Sequence, residues 1–183
     1  LPVWELAANE TECMIGYHSV SVIADAYMKG IQGFNTFEAV NAMVNTAKFD
    51  EFGKTAYAQN GFISTGDEPE SVSKTLEYAY DDFCIYKMLN KYGQEIPANA
   101  NKKLENEFYK RSFNFVNLYD PGTKFMRGRR SGLWFSPFDP AEVNFNYTEA
   151  NSWQYSLYTP HAVGVLIDLL GGEDSLEVWL DRL

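Results

Sequence analysis

Glu68-Pro69-Glu70-Ser71-Val72-Ser73-Lys74-Thr75-Leu76-Glu77-Tyr78-Ala79-Tyr80-Asp81-Asp82-Phe83-Cys84-Ile85-Tyr86-Lys87-Met88-Leu89-Asn90-Lys91-Tyr92-Gly93 is the stretch that decides the fold. Val72, Leu76, Ala79, Phe83 and Tyr86 recur at three-to-four spacing, the period of a helix that buries one face. Ile85, Met88 and Leu89 widen the stripe, so the helix is expected to be covered on more than one side. Glu68 and Glu70 put negative charge at its N-terminus, Pro69 stands where a first turn tolerates proline, and Gly93 closes it.

Outward from this helix the same period returns. Cys13 to Lys29 carries Ile15, Val22, Ile23, Ala26 and Tyr27, and ends at Gly30 and Gly33. Thr36 reads as the N-cap of a helix running to Lys48, with Phe37, Val40, Met43, Val44 and Ala47 inward. Ala98 to Leu118 is expected to be helical, with Leu104, Phe108, Phe115 and Leu118 inward and a strong turn at Asp120-Pro121-Gly122. Thr159-Pro160 reads as the start of a helix stopped by Gly171-Gly172, and Asp174 as the cap of a last one. No strand-like alternation of useful length interrupts the series. The expected fold class is all-α, made of antiparallel helix hairpins joined by short turns.

Composition narrows the function. The 183 residues suffice for one domain with a real core. Twelve Tyr and thirteen Phe imply wide cores or surfaces for flat ligands. The net charge of -10 argues against a nucleic-acid partner. The two cysteines, Cys13 and Cys84, fall on apolar helical faces and are expected to be free, buried thiols. No apolar run approaches membrane-spanning length. With neither an initiator Met nor a signal peptide, the chain reads as a piece of a longer protein. GxGxxG, P-loop, HExxH and paired CxxC motifs are absent.

Chemistry concentrates in Tyr147-Thr148-Glu149-Ala150-Asn151-Ser152-Trp153-Gln154-Tyr155. One carboxylate stands among two amides, a Trp and two Tyr. An aromatic wall disfavours the charged form of a carboxylate beside it, which keeps a proton available for donation. Rings also stack on sugar C–H faces, and amides bond sugar hydroxyls. If the stretch is helical, Glu149 and Trp153 share a face. A buried helix with one hydrogen-bonded Glu fits the same residues. Thr123 to Tyr147, rich in Gly, Pro, Arg and aromatics, is too long for an idle connection. Its Arg127 and Arg129 are expected to brace the acid loop by pairing carboxylates. His18 reads either as a core histidine or as a sugar-hydroxyl contact. Asp81 and Asp82 diverge by about 100° around a helix, so a structural role is expected rather than a shared metal ion. The sequons at Asn9 and Asn146 read as chance.

Several segments together resemble one family. They are Trp4-Glu5-Leu6 with Asn9-Glu10-Thr11, Met14-Ile15-Gly16-Tyr17-His18-Ser19, and Glu70 to Asp82. Phe125-Met126-Arg127-Gly128-Arg129, Pro137-Phe138-Asp139-Pro140 and Thr148 to Tyr155 complete the set. In this order they resemble the helical domain of glycoside hydrolase family 92. The resemblance implies part of an (α/α)6 toroid, with an N-terminal β-sandwich and the rest of the barrel outside these residues. It implies an inverting, calcium-dependent exo-α-mannosidase acting on terminal α-linked mannose, α-1,2 in the first instance. By resemblance Glu149 is the general acid, and Asn151, Trp153, Gln154, His18 and Glu10 are substrate contacts. No residue of this chain is assigned to a metal; the main calcium ligands are expected elsewhere.

The base, on a Gly-Asn-Asp-type motif, and a Gly-Asn-Glu-Pro-type segment of the calcium and sugar site are both absent from this sequence. Ala162 stands where the family usually carries Asp. The expected partner is a mannose-containing glycan, with self-association through exposed barrel faces. The expected location of the parent is periplasmic or secreted. The isolated piece is expected to be inactive. The competing reading is a non-catalytic helical module that binds carbohydrate or serves as a scaffold.

Overall fold

A computed structural model describes Leu1, Pro2 and residues 4–183. The chain forms two compact units: residues 1–55 with 77–113, and residues 56–76 with 114–183. No helix among the described residues is long and apolar enough to cross a membrane.

The first unit opens with a two-residue hairpin, β1 (Glu5–Leu6) against β2 (Asn9–Glu10). Its turn residues, Ala7 and Ala8, both have positive φ. Helices α1 (Ser19–Met28) and α2 (Thr36–Lys48) follow, and α3 (Lys54–Asn60) begins here. The long helix α4 (Ser71–Glu95) contributes its residues from Glu77 onward, and α5 (Lys102–Arg111) completes the unit. Helix α1 starts at Ser19 rather than Cys13, because Gly16 takes a left-handed φ of 83° that ends any helix there. Cys13 is therefore exposed, against expectation, whereas Cys84 is buried and free as expected.

Asn35, not Thr36, caps α2; its side chain accepts from the Glu38 N–H at 3.2 Å. The helix expected over 98–118 is broken. A 3-10 turn (Pro97–Asn99) precedes Asn101, whose side chain accepts from Leu104 N and so sets the start of α5.

Cross-helix bonds fix the directions. Asn90 donates to Glu105 and Arg111 to Asp82, so α4 and α5 run antiparallel. His18 meets Glu77 and Asp81 while Lys91 donates to the Tyr27 carbonyl, so α1 runs parallel to α4. Tyr17, Met43, Tyr78, Ile85, Met88 and Phe108 are fully buried in this unit.

The second unit holds the rest of α3, the first turns of α4 and a 3-10 turn (Asn114–Leu118). The connection after it is not structureless. Antiparallel pairs β3 (Tyr119–Asp120) with β4 (Phe125–Met126), and β5 (Arg129–Arg130) with β6 (Leu133–Trp134), build two small hairpins. Ser131 and Gly132, both at positive φ, close the second. Short α6 (Ser152–Tyr155) follows, then α7 (Val163–Leu170) packed against α8 (Glu173–Leu180). Gly171, at φ 104°, ends α7 as expected. Ala162 rather than Thr159 occupies the N-cap of α7, and no side chain caps it. Gly172 precedes α8, so Asp174 lies in its first turn instead of capping it.

Both units are helical at their core, as the apolar period requires. The fold class is all-α.

Candidate active site

The first four N–H groups of a helix have no partner within it. In α4 the chain around Asn146 takes up this role. Glu70 N donates to the Phe145 carbonyl at 2.6 Å, and Val72 N and Ser73 N to the Asn146 carbonyl at 3.1 and 3.4 Å. The Ser71 hydroxyl bonds Asn146 Oδ1 at 3.4 Å, and Thr148 N donates to Ser73 Oγ at 2.9 Å. Asn146 is buried. A Cβ on Gly128 would sit 3.0 Å from Asn146 Oδ1, so a glycine leaves room for the Asn146 side chain against its backbone. The Tyr147 hydroxyl donates to the Met126 carbonyl at 2.8 Å; burial of that phenol pushes its pKa up to about 12.

This docking presents Glu149. Its side chain is exposed, and among the described residues it takes no hydrogen bond or ion pair. Its φ is +50°, a left-handed conformation that is uncommon for a residue with a Cβ. The helical face expected to join Glu149 to Trp153 does not form, because α6 starts only at Ser152.

On the far side of Glu149 the chain is anchored again. Asn151 Oδ1 accepts from Gln154 N at 3.2 Å and Gln154 Oε1 accepts from Asn151 N at 3.1 Å, a reciprocal capping box. Asn151 Nδ2 also donates to the Ala141 carbonyl. The two amides thus carry backbone duties before any ligand is considered. Trp153 is half-buried, edge-on to Phe125 at 4.5 Å and tilted against Trp179 at 4.8 Å between ring centroids. The Arg182 guanidinium lies 5.6 Å over its ring.

Arg127 pairs with Asp120 at 3.0 Å, donates Nε–H to the Phe135 carbonyl and lies over the Phe138 ring. Burial opposes the Asp120 charge, but Arg127, Gly122 N and the Thr123 hydroxyl hold its carboxyl below the usual range. Arg129 differs from expectation. It bonds the carbonyls of Asn117 and Gly132 rather than a carboxylate, and stacks between Phe62 and Trp134 at 5.0 and 4.9 Å.

Two expected contacts belong to the first unit. His18 presents Nδ1 to Asp81 at 2.8 Å and Nε2 to Glu77 at 2.6 Å, so carboxylates take both ring nitrogens. Burial lowers its pKa, but the hydrogen bonds and charges of Asp81 and Glu77 outweigh it and raise the pKa to about 10. A Cβ on Gly16 would lie 2.4 Å from His18 Nε2, so the imidazole packs onto a glycine. Asp81 also accepts from Tyr17 N, and Asp82 pairs with Arg111, so the two aspartates serve separate structural roles. The Glu10 carboxylate accepts from the backbone N–H of Trp4, Thr11 and Glu12, organising the opening loop.

Nothing in the sequence marks Ser73, Asn146 or Glu77 as partners. Each acts across more than fifty residues of chain, and a local pattern carries no trace of such pairings. An open cleft of about 600 Å3 in the second unit is lined by Phe62, Ser64, Asp67 and Arg130, and none of the expected site residues lines it. Among the described residues no three His, Cys, Asp or Glu side chains are grouped to hold a metal ion.

The sequence profile described as glycosyl hydrolase family 92 catalytic domain matches residues 1–183. The chain belongs to glycoside hydrolase family 92. A GH92 α-mannosidase from Bacteroides thetaiotaomicron is 40% identical and superposes with a TM-score of 0.91 over 99% of this chain and 24% of its own. A structure of that mannosidase in complex with mannoimidazole matches equally well, at TM-score 0.91. A family GH92 inverting mannosidase from the same organism is 32% identical, with a TM-score of 0.88 over 97% of this chain and 24% of its own. An uncharacterized secreted glycosidase of Arthroderma benhamiae is 26% identical over 209 residues, covering 92% of this chain and 26% of that protein. The GH92 chain described here thus spans about a quarter of the length of these relatives.

Proposed function

We propose that this chain is an arc of the (α/α)6 catalytic toroid of a secreted or periplasmic exo-α-mannosidase, and that it supplies the general acid, Glu149. The observation that carries the reading is the presentation of Glu149. It is an exposed carboxylate held at an unfavourable φ between two anchored segments, in the Thr148 to Tyr155 stretch that resembles the family's acid motif. A side chain held this way at a backbone cost fits a functional constraint better than packing.

In this mechanism Glu149 protonates the glycosidic oxygen as the bond to the anomeric carbon breaks. A second carboxylate, about 6.5–9.5 Å from the first, activates water on the opposite face of the sugar. The base motif does not occur in this chain, so the isolated chain does not turn over substrate. Asn151 and Gln154 fix the start of α6, and the half-buried Trp153 next to the acid loop would supply a ring face for a mannose. In the whole enzyme calcium would be held mainly by residues outside this chain; among the described residues no three His, Cys, Asp or Glu side chains are grouped to hold a metal ion.

The test is the anomer released. The parent enzyme acting on α-1,2-mannobiose, followed by proton NMR from the first turnover, releases β-mannose under this reading. Release of α-mannose means retention and overturns it. Rates on α-1,3- and α-1,6-mannobiose fall below that on the α-1,2 isomer.

A further inference from the structure

Glu149 is exposed, yet its backbone is not free. Thr148, immediately before it, donates its N–H to Ser73 Oγ at 2.9 Å, and Ser73 is fully buried in the first turn of the 25-residue helix α4. Asn151, two residues after Glu149, is locked by its capping box, and the Ser152 hydroxyl donates to the Met126 carbonyl at 2.7 Å. Ala150 between them is buried. Glu149 therefore spans two fixed points, and its φ of +50° is the conformation that joins them. A left-handed glutamate relaxes to the right-handed region if one fixed point lets go. That rotation swings the carboxyl away from its place, and a shift of about 1 Å at a reacting group is enough to cost about a hundredfold in rate.

We infer that Ser73 is a positioning residue for the acid: through the Thr148 N–H its hydroxyl holds the left-handed backbone that aims Glu149. The inference rests on the reading of Glu149 as the proton donor. The other bonds between the loop and α4 do different work. Those to the Asn146 carbonyl satisfy the helix end, and Ser71 holds the Asn146 side chain. The Ser73 bond holds the Tyr147–Thr148 peptide, one residue before Glu149.

The experiment uses the full-length enzyme and two substrates, a natural mannobioside and an aryl mannoside with an activated phenol leaving group. Ser73→Ala lowers kcat on the mannobioside by about tenfold to a hundredfold. It lowers kcat on the aryl mannoside several times less and leaves KM near its starting value. Ser73→Thr, which keeps the accepting oxygen, restores the mannobioside rate. Ser73→Cys keeps the shape with a poor acceptor and behaves like Ser73→Ala, so it serves if the alanine variant does not fold. Ser71→Ala lowers the melting temperature without favouring either substrate.

Equal losses on both substrates for Ser73→Ala, or none, overturn the inference. Glu149→Gln in the same assay separates the two levels. A leaving-group dependence for Glu149→Gln without one for Ser73→Ala removes the positioning role alone. Its absence in Glu149→Gln removes the acid and the positioning role together.

Discussion

Asp82 and Arg111 face each other from α4 and α5 as a bidentate pair, with Arg111 Nε 2.7 Å from Oδ2 and an Nη2 contact of 3.2 Å to Oδ1. Both side chains are almost wholly out of water, and the Tyr17 hydroxyl donates to the same carboxylate at 2.7 Å. Removing one partner from a buried pair leaves the other charge uncompensated. Arg111→Met should therefore cost about 3–5 kcal/mol. The double variant Arg111→Met with Asp82→Leu should cost clearly less, the remainder coming from the lost bonds of Asp82 to the Tyr17 hydroxyl and of Arg111 to the Ala47 carbonyl. Urea unfolding of the three proteins measures this, and equal losses in single and double variants would contradict it.

His18 sets a pH dependence with a definite sign. Its folded pKa, about 10, lies above the ordinary value of 6.5 because Asp81 and Glu77 outweigh the burial that lowers it. The stabilisation is complete below the unfolded value and is lost as pH rises through the folded one. The melting temperature of the native protein should exceed that of His18→Gln at pH 6, and the gap should narrow between about pH 7 and pH 10. A gap that widens over that range contradicts the assignment.

Ala162 occupies the N-cap of α7 with no side chain to offer the free N–H groups behind it. Asp is among the strongest N-cap residues. Ala162→Asp should stabilise the protein by about 0.5–2 kcal/mol, read as a higher melting temperature. A lower one would contradict this and mean that the carboxylate cannot turn toward the helix from this buried position.

The long helix was legible because its apolar period is dense: Val72, Leu76, Ala79, Ile85 and Met88 are all fully buried. Gly171 stopped α7 as its sequence position foretold. Periodicity failed where a single backbone conformation decides. Gly16 cut the first helix short, and Asn101 moved the start of α5, although both residues carry recognisable stop and cap signals. The Asn151 and Gln154 amides formed a capping box that Asn-x-x-Gln spacing could have announced, yet they read first as sugar ligands. The two hairpins after Tyr119 escaped because two-residue strands carry no alternation. Glu149 was legible as a chemical group but not as a conformation, since its setting depends on Ser73, distant in sequence.

Under the proposed mechanism Glu149 donates the proton to the departing oxygen. The direct measurement is the effect of Glu149→Gln in the full-length enzyme on two substrates, a mannobioside and a mannoside with an activated phenol leaving group. Loss of general acid catalysis should lower the mannobioside rate by about 10²–10⁴-fold. The phenol needs little protonation, so its rate should fall far less, with KM and melting temperature close to native. Equal losses on both substrates, accompanied by a lower melting temperature, would contradict the account and make Glu149 a structural residue.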